Sequence, residues 1–281
     1  MVYFKVILFF SLIFSHIHSY ANEADSACLT LISNNQCIEA LEVCRVDAEQ
    51  GDPKAQTALG MLLSGITHGD FRKNYKQSFY WVNQAAEQDY GKAELAIAEM
   101  YMNGVVIPMN AKKAKVWYEK AAAEDNLDGV NGLARLYRYG TGVRKDYEKA
   151  FQYYQQAALE GHTRSQIGVG LSYRDAKGVK KNMVKAYAWI LIAAEKIDKQ
   201  RLQAITERYK DERENLDQTI PQCKHLSRLE QVGEIMATGY AQKILLDLKQ
   251  RMNIKQINKA KKLALEIKKE RAFTRSVFSF S

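Results

Sequence analysis

Tyr137-Arg138-Tyr139-Gly140-Thr141-Gly142-Val143-Arg144-Lys145-Asp146-Tyr147-Glu148-Lys149-Ala150-Phe151-Gln152-Tyr153-Tyr154-Gln155-Gln156-Ala157-Ala158 decides the fold, because its key positions recur every 36 residues. Trp81, Trp117, Tyr153 and Trp189 form one column, and Ala85-Ala86, Ala121-Ala122, Ala157-Ala158 and Ala193-Ala194 form another. Asn74, Asn110, Asp146 and Asn182 make a third, each placed to cap the helix that follows by accepting from its free N–H groups. Leu63, Tyr101, Tyr137 and Tyr173 make a fourth; its first interval is 38, because the turn Ser64-Gly65-Ile66-Thr67-His68-Gly69 is longer. Self-similarity at such a period signals stacked supersecondary units, each burying its apolar face on its neighbours.

Each unit reads as a helical hairpin. In the third, Gly129, Leu133, Ala134 and Tyr137 share one face of a first helix. Tyr139-Gly140-Thr141-Gly142-Val143 breaks it, since glycine tolerates positive φ. The second helix starts at the Asp146 cap and carries Ala150, Phe151, Tyr154, Ala157 and Ala158 at amphipathic spacing. Asp89 and Asp125 stand where other units have Gly51 and Gly161.

These residues resemble the Sel-one-like repeat (SLR) family, relatives of the tetratricopeptide repeat. The family's turn of Tyr, two residues and Gly-x-Gly-Val is met by Tyr137 to Val143, and its helical elements by Lys113-Ala114, Trp117-Tyr118 and Lys120-Ala121-Ala122. The resemblance covers about residues 48–194 and implies an all-α fold, a right-handed α-solenoid of stacked helix-turn-helix repeats with C-terminal capping helices. Together with the pattern of the N-terminus, it divides the chain into a leader (1–21), an N-terminal helical cap or partial repeat (22–47), four units (about 48–86, 87–122, 123–158 and 159–194) and a C-terminal extension with a basic cap (195–281). It further implies a scaffold that binds a protein or peptide on its concave face. Some cysteine-rich secreted members bind or hydrolyse β-lactams, so a cell-envelope enzyme acting on β-lactam or peptidoglycan-like substrates is the competing class, and a secreted host-interaction factor is a third. The regular within-repeat cysteine pairs of that enzymatic subgroup are missing here.

Lys5, the apolar run from Val6 to Phe14 and the small-x-small site Ser19-Tyr20-Ala21 predict a signal peptide cut before Asn22, and so a periplasmic or secreted protein. Cys28, Cys37, Cys44 and Cys223 all survive that cut, an even number suited to disulfides in an oxidising compartment. Cys37 and Cys44, on one predicted helix over 36–49, are about 10 Å apart at ~1.5 Å per residue, too far to bridge. Cys28 with Cys37 staples the first hairpin and leaves Cys44 to reach Cys223; buried free thiols are the other reading.

No catalytic residue, cofactor site or metal site is predicted. The shortest cysteine interval is seven residues, unlike zinc ligands, and His68, His162 and His225 fall in or beside turns, which reads as exposed and inert. Cys223-Lys224-His225 lacks an orienting partner, and Gly140-Thr141-Gly142 belongs to the repeat. Asp211, Glu212 and Glu214, interleaved with Arg208, Lys210 and Arg213, read as a solvated helix face. Tyr101, Tyr137 and Tyr173 read as packing positions. Residues that vary between units on or just after the first helices are the partner-binding candidates: Glu94, Glu99, Met102, Asn131, Arg135, Arg138, Gln166 and Arg174.

Beyond Ala194 the repeat decays into predicted helices over 199–216 and 224–250, the latter with Leu226, Leu229, Val232, Met236, Tyr240, Ile244 and Leu248 as its stripe. A third opens at Asn253 with Gln256 as a capping box and buries Ile254, Ile257, Ala260, Ala264 and Ile267. Such a closing helix, similar to one in many exported bacterial members, would cover the last repeat. Formal charge is +9, and residues 249–275 carry ten Lys/Arg against Glu266 and Glu270. That face reads as solvated, with peripheral contact to an anionic membrane or acidic polymer as its alternative. No nucleic-acid motif is present. The tail from Phe273 to Ser281, with Phe278 and Phe280, reads as frayed or as a strand donated to a partner.

Overall fold

The structure is a computed structural model and describes residues 27–64, 74–197 and 229–278; the predicted leader, His68, the 199–216 helix, Cys223 and His225 lie outside it. Two short N-terminal helices, α1 (Ala27–Ser33) and α2 (Cys37–Glu49), precede four hairpins. These are α3 (Pro53–Leu63) with α4 (Tyr75–Ala86), α5 (Gly91–Asn103) with α6 (Ala111–Ala123), α7 (Leu127–Tyr139) with α8 (Tyr147–Leu159), and α9 (Thr163–Asp175) with α10 (Met183–Ala194). Two long helices, α11 (Leu229–Gln250) and α12 (Ile254–Phe278), follow. Each helix from α1 to α10 packs on the next in sequence, the arrangement of an α-solenoid, and the described residues contain no strand.

The predicted caps fix the hairpins. Asn74, Asn110, Asp146 and Asn182 each accept, through Oδ1, from the backbone N–H three residues on, at 2.9–3.0 Å. Each cap's own N–H donates back to the carbonyl of Leu63, Tyr101, Tyr137 or Tyr173, at 2.8–2.9 Å. A single Asn or Asp in each hairpin therefore starts the second helix and closes the turn from the first. Between hairpins the chain turns through a left-handed residue, Gly51, Asp89, Asp125 or Gly161, with φ of 95°, 55°, 55° and 97°. Aspartate holds two of these because its short polar side chain tolerates that region better than other non-glycine residues do.

Small residues let the helices approach. Ala85, Ala86, Ala121, Ala157, Ala158, Ala193 and Ala194 are buried in the seams. Tyr118 and Tyr154, one period apart, are buried where one unit meets the next. Their rings lie against Gly132 and Gly168, where an added Cβ would fall 2.5 and 2.6 Å from ring carbons. Half-buried Tyr101, Tyr137 and Tyr173 take the ammonium groups of Lys113, Lys149 and Lys185 over their rings, at 5.4, 4.4 and 5.2 Å.

All residues from Ala186 to Ala194 are buried, as befits a helix apolar on every side. α10 is covered by α9 on one flank and by α11 and α12 on the other, so the C-terminal helices cap the last repeat. The capping box forms: Gln256 Oε1 accepts from Asn253 N at 3.1 Å, and Asn253 Oδ1 from Gln256 N at 2.9 Å. Ile257, Ala260 and Ala264 are buried and Ile267 half-buried, but Ile254 is exposed, so the stripe begins one turn later than expected. In α11 the buried side is Ala237, Ala241, Ile244 and Leu248, with Ile235 buried off that face, whereas Met236 and Tyr240 are exposed. The expected stripe advanced by four residues at each step after Val232, which rotates it about 40° per step off a single face at 3.6 residues per turn. The tail is neither frayed nor a strand as far as Phe278: α12 runs through Phe273 to that residue.

Cys28 is bridged to Cys44, with Cα atoms 4.6 Å apart, which overturns the expected Cys28–Cys37 pairing. Residues that face each other across an antiparallel hairpin lie equally far from its turn. The turn at Asn34–Gln36 therefore sets Cys28 opposite Cys44, whereas Cys37 sits at the turn itself. Cys37 is also disulfide-bonded, so none of the described cysteines is a free thiol.

Candidate functional site

The varying residues of the first helices divide into two sets. Glu94 is 1% exposed, and Asn131 and Gln166 are likewise buried, so these three sit within the packing and not on the surface expected of them. Arg135 is exposed, and Glu99, Met102, Arg138 and Arg174 are half-buried. Gln56, Glu94, Val130 and Gln166 occupy one column. Gln56 Nε2 donates to the Ala48 carbonyl at 3.0 Å, and Gln166 Nε2 to that of Ala158 at 3.3 Å, each tying a first helix to the helix before it. Glu94 has a carboxylate where these have an amide, and its Oε2 is buried without a partner. Burial pushes its carboxyl above the ordinary range; Lys120 opposes this, and Asp89 and Glu124 reinforce it.

His162 is not the exposed turn residue expected. Its side chain is 12% exposed; Nδ1 lies 2.8 Å from Ser165 Oγ, and Nε2 lies 3.1 Å from Asp128 Oδ1. Arg164 Nη1 donates to the same Asp128 oxygen at 2.6 Å. Burial alone would raise the Asp128 carboxyl, but the hydrogen bond and charge of His162, with Arg164, hold it below its ordinary value. Asp128, His162 and Ser165 stand in the order of an acyl-transfer triad. Ser165 is nevertheless 0% exposed and its Oγ also accepts from Asn131 Nδ2 at 2.9 Å, so no substrate carbonyl reaches it. The network is a clamp between the starts of α7 and α9. Its members lie 34 residues apart, close to the repeat period, which was the sequence signal available for finding it.

An open cavity of about 460 Å³ lies where α7 and α9 meet α11. α7 contributes Asn131, Arg135, Arg138 and Tyr139; α9 contributes Arg164, Ile167, Gly168 and Leu171; and α11 contributes Gly233, Met236, Ala237 and Tyr240. Tyr154 of α8 forms part of its lining. Three predicted candidates thus converge, Asn131, Arg135 and Arg138, whereas Glu94, Glu99, Met102, Gln166 and Arg174 are not part of the lining. Sequence reasoning misses Arg164, Tyr154, Met236 and Tyr240. Met236 and Tyr240, 70% and 54% exposed, fall in the sequence pattern on the core stripe of α11.

The three guanidinium groups are incompletely paired. Arg164 is bound to Asp128, Arg135 Nη1 is 3.8 Å from Glu99, and Arg138 is 4.0 Å from Asp175. Asp175 is itself held by Arg174 through two hydrogen bonds, at 2.6 and 3.0 Å, which keep its carboxyl below the ordinary range. No carboxylate belongs to the cavity lining. Elsewhere, Lys255, Lys259, Lys261, Lys262 and Lys269 of α12 are exposed opposite its buried stripe. No group of His, Cys, Asp and Glu among the described residues could hold a metal ion, and no described helix is long and apolar enough to cross a membrane.

The Sel1 repeat family model matches residues 53–90, 91–126, 128–162 and 163–198, which together are more than half of the chain. Among solved structures, a protective antigen of uropathogenic Escherichia coli displaying an SLR fold, c5321, is 26% identical over 82% of this chain and 48% of its own, with a TM-score of 0.53. A Sel1 repeat protein from Oxalobacter formigenes is 26% identical over 60% of this chain and 48% of its own, with a TM-score of 0.48. The chain therefore spans about half the length of each of these structures. No curated protein matches it.

Proposed function

Because this chain belongs to the Sel1 repeat family, whose helical arrays commonly serve protein interaction, we propose that it is an exported, non-enzymatic scaffold or adaptor holding a protein or peptide partner on the face of its first helices. The observation that carries this reading is the open cavity over α7, α9 and α11, with incompletely paired arginines and exposed apolar side chains. A ligand pocket combines apolar walls with a few convergent polar groups in this way. The buried state of Ser165 argues against hydrolysis by the one triad-like arrangement among the described residues. Export is supported by the leader pattern of residues 5–21 and by the Cys28–Cys44 bridge, which suits an oxidising compartment.

Photocrosslinking in the native envelope tests the proposal. A crosslinker at Arg135, on the first-helix face, is expected to capture a protein partner identified by mass spectrometry, and one at exposed Gln155 on α8 is not. Crosslinks from position 155 alone, or from neither position, would overturn it. In the same preparation the mature N-terminus is expected at Asn22. The exposed lysines of α12 offer a secondary contact for anionic membrane, expected to appear as salt-sensitive cosedimentation with anionic vesicles.

A further inference from the structure

Tyr118 and Tyr154 are the same position of consecutive units, and both are buried against a glycine of the next first helix. In the second unit the Tyr118 hydroxyl donates to Glu99 Oε1 at 2.7 Å, and that carboxylate lies 3.8 Å from Arg135 Nη1. One period on, the place of Glu99 is taken by Arg135, a group with five donors and no acceptor. The Tyr154 hydroxyl accordingly has no acceptor among the described residues, although Tyr154 is only 5% exposed. It belongs to the lining of the cavity that Arg135, Arg138 and Arg164 share. The molecule thus builds a tyrosine–carboxylate contact inside the second unit, beside Arg135 of the third, and one period on it repeats the tyrosine with an arginine in place of the carboxylate and Leu171 in the place of Arg135.

We propose that the cavity between α7, α9 and α11 receives a glutamate side chain of a bound peptide, which accepts from the Tyr154 hydroxyl and pairs with the guanidinium groups of Arg135 and Arg138, in the role that Glu99 fills for Tyr118. The inference rests on the adaptor reading and names the chemistry of its ligand. A glutamate is chosen because the internal counterpart is a glutamate side chain. Three arginines and no carboxylate in the lining give the site the complementary charge, and charge-assisted hydrogen bonds in a partly desolvated pocket are the strong ones. Met236 and Tyr240, exposed at the rim, supply apolar contact for residues flanking the glutamate. Aromatic and arginine side chains of this kind are where binding energy concentrates.

The test uses the full chain and three peptide mixtures: acetylated heptapeptides with random flanks and a fixed central Glu or Gln, both amidated at the C-terminus, and the Gln mixture with a free C-terminal carboxylate. Retention of the Glu mixture is expected to exceed that of the amidated Gln mixture by about tenfold, the factor for one interaction of about 1.4 kcal/mol. Tyr154→Phe keeps the ring and is expected to reduce that preference several-fold. Arg135→Glu supplies Tyr154 with an internal acceptor and is expected to abolish the preference while the chain stays folded by circular dichroism. Equal retention of the Glu and amidated Gln mixtures overturns the inference, as does a Glu preference that Tyr154→Phe leaves intact. Preferential retention of the free-carboxylate mixture overturns it in favour of a chain end. Retention of no mixture also overturns it, while crosslinking from position 135 would still uphold the adaptor reading.

Discussion

At the scale of single residues, two acids in this array respond to pH with opposite sign. Glu94 holds its proton more tightly folded than unfolded, because burial disfavours the charged form. Its contribution to stability is therefore full below the ordinary value of 4.5 and is lost as pH rises through the raised folded value. Glutamine at this position should donate to the Ala86 carbonyl, as Gln56 and Gln166 do to those of Ala48 and Ala158. Glu94→Gln is expected to stabilise the protein by about 1 kcal/mol at neutral pH and by little in acid, read as melting temperature across pH. A gain that does not depend on pH would show that the charge is not responsible. Asp128 behaves conversely. Its lowered carboxyl contributes stability above the ordinary value of 3.8, lost as pH falls through the lower folded value. Asp128→Asn should flatten the acid limb of the melting curve. His162→Ala should cost about 1–3 kcal/mol by leaving Ser165 and Asp128 short of a partner, in place of the negligible effect expected for an exposed histidine. A loss under about 0.5 kcal/mol, the range of ordinary surface substitutions, would show that the clamp contributes nothing.

At the scale of helices, legibility follows the repeat. The four caps are readable because an Asx side chain before an apolar run has one good use, and four aligned copies leave little doubt about phase. α11 has no second copy to align, so its exposed Met236 and Tyr240 pass for core. The cysteine pairing fails for a related reason: without the boundaries of α1, the hairpin's facing residues cannot be counted from the turn. Partner candidates chosen by variability include Asn131, Arg135 and Arg138, but variability does not separate a change inside a seam, as at Glu94, from a change on a surface. Tyr154→Ala should lower the melting temperature far more than Gln155→Ala, since aromatic truncation in a core costs about 3–5 kcal/mol and Gln155 is exposed. Gly168→Ala should also destabilise, by about 1–3 kcal/mol, because its Cβ would enter the Tyr154 ring. Combined with Tyr154→Leu, the Gly168→Ala change should cost less than it does alone, and strict additivity of the two would mean that the ring and the glycine are not coupled.

At the scale of the molecule, the contacts form a chain of neighbours capped at its C-terminal end. α10 is enclosed because α11 and α12 lie over it, and Lys268 and Arg271 of α12 reach Glu195 and the Leu159 carbonyl, at 2.6 Å in each case. The hydrogen bond from each cap residue's N–H to the carbonyl of Leu63, Tyr101, Tyr137 or Tyr173 begins and ends inside one hairpin. Whatever is done to the number of hairpins, that closure travels intact with each of them, and only the seam contacts, such as Asn126 to Gly91 or Asn131 to Ser165, need a matching neighbour. Reach is thus an adjustable dimension of this architecture: the span over which a partner can be gripped changes by whole modules, and evolution can lengthen or shorten the ruler without redesigning its divisions.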